Sequence, residues 1–264
     1  MATAARHALA HPTSGMIPVL TFHALASGSG PIYFPPATFA RAAQQWHAAG
    51  WNTISLLDAV RCVREHAPFP ACSFVLTFDD GYASVYRVAF PILQQYNWTA
   101  IIFIAPGEHA STQGDASLPQ LFNGEMLRWN EIREMRAHGI TFGAHTLTHP
   151  DLTRLDHAYA ENELRLSQSI LADALGEAIP LFAYPFGRFN TQVRELTARY
   201  FQAAVSDRLG LMNAQSDVFA LERVETFYLQ ADWAANGMPR SWFKWYLAAR
   251  NVPRQARRAV ARFF

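Results

Sequence analysis

The sequence predicts an α/β fold in which strands and helices alternate around a parallel sheet, either an open doubly wound sheet or a (β/α) barrel. Three observations predict it. Short apolar, β-branched or aromatic runs such as IPVLTF and SFVLTF alternate with segments of helical pattern. The 264 residues are 50% apolar, enough for one sizeable core, and barrels of this length are commonly single domains. Three of the runs end in polar or conformationally special residues: Asp79-Asp80-Gly81, His145 to His149, and Pro185-Phe186-Gly187. Both sheet types carry their sites at the carboxyl ends of strands, so one rim collects all three.

Residues 1–16 read as a polar, disordered leader without the apolar core of a secretory signal. Residues 17–22 form a buried strand that ends at His23. A loop rich in glycine and proline leads to Thr38, the expected N-cap of a helix that Gly50 ends. A short strand over 52–55, a helix over 56–65 and a buried strand over 73–78 follow, the last running into Asp79-Asp80-Gly81. The alternation continues with helix 83–96, strand 100–104, a long loop over 106–122, helix 129–138 and strand 141–144. Helix 158–175, strand 181–184, helix 191–200 and strand 203–206 complete the pattern. The catalytic unit is expected to span 17–239, with 240–264 as a basic, aromatic helical tail.

Lysine and arginine total 22 against 21 aspartate and glutamate, so no global field draws nucleic acid to the chain. Two cysteines provide neither a disulfide framework nor a thiolate metal site, which fits a cytoplasmic location. No apolar stretch approaches the roughly 20 residues a membrane span requires.

His145 and His149 stand four positions apart, a spacing that on a helical turn brings both imidazoles to one face and chelates a metal. Two histidines and a carboxylate leave an open coordination position of the kind catalytic zinc uses to activate water. Asp79 or Asp80 supplies that carboxylate. Adjacent aspartates at a strand end repel one another, and a cation relieves the repulsion. The aspartate left free is then a base for water attacking a carbonyl, so the chemistry is hydrolysis of an amide or ester. Backbone N–H groups near Pro185-Phe186-Gly187 are candidates for stabilising the oxyanion, with Phe186 as donor because proline has none. Each motif alone has a plainer reading, a turn for Asp-Asp-Gly and a backbone-bonded loop for the histidines; their combination favours the site.

SFVLTFDDGY, GAHTLTH and FAYPFG, in this order, resemble the signature blocks of the polysaccharide deacetylases, the NodB-homology, carbohydrate esterase family 4-like proteins. The similarity runs over 17–227. It implies a distorted (β/α) barrel of about seven strands and removal of N-acetyl groups from an N-acetylated carbohydrate. Residue by residue it implies Asp79 as catalytic base, Asp80, His145 and His149 as ligands of Zn2+ or another divalent metal, and Tyr184, Pro185, Phe186 and Gly187 along the substrate groove. Two departures stand out. Many relatives carry an arginine where this chain has Ala183, which leaves Arg223 as the candidate to orient Asp79. No histidine follows His157, which leaves His23 as the candidate acid for the leaving amine. A metal-dependent amidase acting on a small or cyclic amide, and a silent carbohydrate-binding protein, are the competing readings.

Tyr82, Phe122 and Trp129 are candidate sugar-stacking residues, Tyr82 by its position directly after Asp-Asp-Gly. The tail has no acidic residue, so it suits either peripheral contact with an anionic membrane on the inner face or packing of Trp242, Trp245 and Tyr246 on the barrel, with Pro253 interrupting its helix.

Overall fold

Pro18 splits the first predicted strand, because a residue without N–H cannot carry a ladder through. The computed structural model describes residues 15–108, 111–121, 124–231, 238 and 242–261, with backbone only from 255 onward. The expected leader therefore falls outside the described residues up to position 14. Met16–Ile17 (β1) pairs antiparallel with Met212–Asn213 (β9), and Val19–Phe22 (β2) starts the main sheet.

The chain then builds Pro36–Ala48 (α1), Asn52–Thr53 (β3), Leu56–Arg64 (α2) and Ser73–Phe78 (β4). Next come Phe90–Tyr96 (α3), Ile101–Ile104 (β5), Trp129–Ala137 (α4) and Thr141–Ala144 (β6). His157–Leu175 (α5), Leu181–Ala183 (β7), Thr191–Tyr200 (α6), Ala203–Leu209 (β8), Leu221–Glu225 (β10) and Phe243–Ala261 (α7) complete it.

The strands follow the order β2, β10, β8, β7, β6, β5, β4, and β4 pairs back onto β2 in register from Val19↔Val75 to Phe22↔Phe78. Every pairing round this ring is parallel, so the sheet closes as a seven-stranded barrel rather than an open sheet. β3 bonds only the start of β4 and stays outside the ring.

Side chains alternate across each strand, so every strand feeds two cores. Val19, Val75, Ile101, Phe103, Leu181 and Val205 form one cluster, which α2 joins through Leu56, Ala59, Val60 and Val63. Leu20, Phe22, Phe74, Leu76, Ile102 and Phe182 form the other, with the surrounding helices. Along the first face the residues turn polar toward the carboxyl ends: Thr21, Thr77, Asp79, His145 and Arg223 are all buried. The site sits there.

Two local expectations are corrected and one is refined. Helix α1 starts at Pro36 with Pro35 as its N-cap residue, and Thr38 lies buried inside the first turn instead of capping it. Proline at the first helical position presets the backbone and needs no N–H there. The helix expected over 83–96 is present, with a π-turn at Val85–Ala89 leading into α3. Pro91 has no N–H to bond the carbonyl four residues back, and the wider turn accommodates it. Pro253 lies within α7 and does not interrupt it.

The tail packs through Phe243 and Leu247, both buried, while Trp245 is exposed. The Tyr246 hydroxyl donates to the Tyr228 carbonyl at 2.7 Å. Arg254 donates to the Asp207 carbonyl at 2.8 Å and approaches the carboxylates of Asp207 at 3.1 Å and Glu225 at 3.4 Å. Among the described residues no helix is long and apolar enough to cross a membrane.

Candidate active site

Strand β4 delivers the two aspartates. The Asp79 N–H still bonds the Phe22 carbonyl at 2.9 Å, after which Asp80 and Gly81 turn the chain at φ 70° and 81°. A β-carbon on Gly81 would lie 2.7 Å from Leu118 and 2.9 Å from Ile104, so the turn admits only glycine there. The reversal sends the two neighbouring carboxylates to different partners, and both are buried.

Asp80 faces the histidines. Its Oδ1 lies 3.4 Å from His145 Nε2 and 3.3 Å from His149 Nε2, and the two Nε2 atoms are 3.2 Å apart. A tetrahedral ion with bonds of about 2.0–2.1 Å holds its donors about 3.3–3.4 Å apart, so this triangle has the dimensions of three ligands on one cation. The donor chemistry agrees. His145 Nδ1 must donate to the Ala183 carbonyl at 2.7 Å, which leaves Nε2 turned into the triangle. Among the described residues these three form the group able to hold a metal ion, and a three-residue donor set leaves a coordination position open. Burial pushes the Asp80 carboxyl up, but hydrogen bonds from His145 and His149 hold it far below the ordinary carboxylate range. Burial lowers His149 and outweighs Asp80, whereas for His145 the carboxylates outweigh burial and raise it.

The two imidazoles converge, although not by the helical spacing the sequence suggested. Residues 145–149 form a loop, with Thr146 and His149 at φ 67° and 63°. Within it the Thr146 hydroxyl donates to the His145 carbonyl and accepts from His149 N–H at 2.9 Å. From outside, Glu163 on α5 accepts from the N–H groups of Leu147 at 2.8 Å and Thr148 at 2.9 Å, and from the Thr148 hydroxyl at 2.7 Å. Asp80, Thr146, His149 and Phe186 are four of the seven non-glycine residues with positive φ among those described. Backbone strain thus concentrates where the polar groups converge.

Asp79 faces Arg223. Nη1 and Nη2 of Arg223 donate to Oδ1 and Oδ2, each at 2.8 Å, in a fork-to-fork pair buried on both sides. Arg223 Nε donates to the Ser206 carbonyl at 2.9 Å, so the guanidinium is itself fixed. His23 Nε2 stands 3.9 Å from Asp79 Oδ2. Burial pushes the Asp79 carboxyl up, but the charges of Arg223 and His145 and the Arg223 hydrogen bonds keep it below the ordinary carboxylate range.

Beside the triangle, Pro185-Phe186-Gly187 forms a tight turn with Phe186 at φ 57° and its ring 4.9 Å from that of His149. A β-carbon on Gly187 would fall 2.1 Å from Asp207, so glycine is required by close approach as well as by its φ of 64°.

Three expected contact residues have buried side chains. Tyr184 is fully buried on the outer face of β7, its hydroxyl on the Phe219 carbonyl at 3.0 Å and its ring stacked on Phe189. Tyr82 is buried too, its ring filling the space a β-carbon on Gly124 would need. Trp129 is buried at the start of α4 and offers no face to a sugar. Phe122 lies outside the described residues. Glu163 and the Ala183 carbonyl escaped sequence reasoning: glutamate on an amphipathic helix reads as solvent-facing, and a carbonyl carries no sequence signal.

Residues 66–203 match the sequence model described as polysaccharide deacetylase. YxkH of Bacillus subtilis, named for the same family, is 25% identical over 210 residues, 79% of this chain and 70% of that protein. The poly-beta-1,6-N-acetyl-D-glucosamine N-deacetylase of Escherichia coli K12 is 32% identical over 104 residues, 37% of this chain but only 15% of that protein. Among solved structures, Streptococcus pyogenes deacetylase PplD in complex with acetate aligns with TM-score 0.70 and 26% identity, covering 80% of this chain and 92% of that one. IcaB from Ammonifex degensii shares the fold with TM-score 0.67 at 22% identity, over 80% of this chain and 91% of its own.

Proposed function

The chain belongs to the polysaccharide deacetylase family of hydrolases acting on N-acetyl amide bonds, and from that premise we propose that it deacetylates an N-acetylated glycan with Asp79 as base and Asp80, His145 and His149 holding a divalent cation, zinc by preference. The observation that carries the reading is the divergence of two adjacent aspartates, one into a ligand triangle and one onto Arg223 and His23. Carbohydrate binding alone calls for no such second carboxylate.

A divalent cation in the triangle supplies a Lewis acid for the acetyl carbonyl and for water. Asp79 takes a proton from the water as its oxygen bonds the acetyl carbon. The Phe186 N–H is the wall's candidate donor to the oxyanion that forms. When the C–N bond breaks, His23 gives its proton to the leaving nitrogen, and acetate and a free amine result. At 3.9 Å, Asp79 and His23 are close enough for the proton gained by one to restore the other through a small movement. Arg223 on β10, bonded to Asp79, takes the orienting role that the family resemblance gives in many members to an arginine at the position of Ala183.

The glycan class follows the relatives' names, among them the N-deacetylases of poly-beta-1,6-N-acetyl-D-glucosamine. Docking of α7 through Arg254 and Tyr246 supports counting the helical tail with the 17–239 catalytic unit. Contact of that helix with an anionic cytoplasmic membrane face belongs to the same proposal, supported by Lys244, Arg250 and the exposed Trp245.

The test is acetate release from N-acetylglucosamine oligosaccharides by metal-stripped protein with and without zinc. Release only with zinc supports the reading. A folded, zinc-loaded protein that releases none from these substrates but hydrolyses small cyclic amides overturns it in favour of an amidase.

A further inference from the structure

The two histidines of the triangle are held by different means. His145 directly follows β6, its N–H bonded to the Ile104 carbonyl at 3.0 Å and its Nδ1 to the Ala183 carbonyl at 2.7 Å, so the barrel fixes it twice. His149 has no strand beneath it. It sits beyond three loop residues, at φ 63°, and its place depends on the course of the backbone between the ligands. In that stretch the N–H groups of Leu147 and Thr148 point away from the barrel ladder and need acceptors. Both go to one oxygen of Glu163, at 2.8 and 2.9 Å, and the Thr148 hydroxyl takes the other at 2.7 Å.

We propose that Glu163 is the positioning residue of the metal centre: it clamps the loop between the ligands and thereby presents His149, setting the cation affinity without touching the cation. This rests on the ligand assignment made above. Glu163 stands on α5, well inside a helix running His157–Leu175, so the clamp is anchored to a rigid element and not to another loop. The same helix packs its buried Leu164 and Leu171 into the outer core, which fixes the carboxylate relative to β6. Without the clamp, two adjacent N–H groups lose their acceptor, and the strained loop from Thr146 to His149 keeps from outside, among the described residues, only the backbone bond of the Gly107 N–H to the Leu147 carbonyl at 2.8 Å.

Outer-shell partners of metal ligands typically cost about 10- to 100-fold in affinity when removed. Glu163→Ala is therefore expected to weaken Zn2+ binding by about that factor, measured by competition with a chelating indicator. Alanine is a good helix residue, so α5 should persist, and the melting temperature of the metal-free protein checks this. Glu163→Gln should restore most of the affinity, because the amide oxygen accepts both N–H groups and the amide NH2 can donate to the Thr148 hydroxyl. The distinguishing readout is a double-mutant cycle. In a His149→Ala background, Glu163→Ala should change the residual affinity less than twofold, since the ligand through which it acts is gone.

A folded Glu163→Ala that binds Zn2+ as tightly as the parent overturns the proposal and leaves the metal centre standing. An undiminished effect in the His149→Ala background overturns it too, since Glu163 would then act by general destabilisation. A parent chain that binds no Zn2+ overturns both this proposal and the ligand assignment.

Discussion

Arg223 and Asp79, 144 positions apart in the chain, meet as a planar fork on a carboxylate with both bonds at 2.8 Å. The pair holds Asp79 by both oxygens and orients it on the inner face of the barrel. Replacing arginine by lysine keeps the charge and loses the fork. Arg223→Lys is expected to reduce kcat by about one to two orders of magnitude while Zn2+ affinity stays within about twofold, since the guanidinium touches none of the three ligands. Steady-state kinetics beside a zinc titration check this. Arg223→Ala should also destabilise the fold by about 3–5 kcal/mol, because Asp79 is left buried without its partner.

Asp79 and Asp80 should separate cleanly on mutation. Asp79→Asn is expected to lower kcat by at least about 10²- to 10⁴-fold, the span a general base contributes, with zinc retained. His145→Ala should lose both metal and activity. Metal content by elemental analysis after gel filtration, beside acetate release, separates the two outcomes. Full turnover in Asp79→Asn would remove it as the base.

Acid stability should depend on a pair remote from the site. Asp217 accepts from Arg194 at 2.9 and 2.7 Å, and these hydrogen bonds, against burial, hold its carboxyl below the usual range. A carboxyl depressed in the folded state binds protons more readily when unfolded. Its stabilisation is present above the unfolded pKa of about 3.9 and drains away as pH falls toward the folded value. Asp217→Asn should therefore lose more stability at pH 7 than at pH 3 in urea melts, and equal losses at both would contradict the assignment.

The tail should behave as part of the domain. Arg254 reaches the Asp207 carbonyl at 2.8 Å and two carboxylates, and Phe243 and Leu247 are buried. Arg254→Ala is expected to cost about 1.5–3 kcal/mol in chemical denaturation, the range for hydrogen bonds involving a charged group. A shift below about 0.3 kcal/mol would mean the helix docks without it.

The parallel sheet was legible because strands such as β2, β4 and β5 are buried on both faces and so read as unbroken apolar runs, as SFVLTF does, ending where the polar turn begins; the choice of a barrel over an open sheet came from the family resemblance. The convergence of Asp80 with His145 and His149 was legible from the combination of polar motifs at strand ends, while the assignment of Asp80 rather than Asp79 to the histidines came from the resemblance. How the histidines meet was not legible. Thr146 and His149 adopt positive φ, a conformation uncommon for residues other than glycine that no propensity announces. Arg223 could be named only as a candidate, since its partner is supplied by closure of the barrel between β4 and β2 and the insertion of β10 beside them. The burial of Tyr184, Tyr82 and Trp129 was not legible because an aromatic side chain serves a core as readily as a sugar, and only the facing of the strand or loop decides between them.

The central claim is that one aspartate helps hold a metal while its neighbour acts as base for deacetylation. Its most direct measurement is acetate release from N-acetylglucosamine oligosaccharides by the metal-stripped chain and its Asp79→Asn variant, each with and without stoichiometric zinc. The account predicts release by the parent only when zinc is added, and release at least about 10²-fold slower by Asp79→Asn although it binds zinc equally well. Equal release by the metal-free parent, or by zinc-loaded Asp79→Asn, would contradict it.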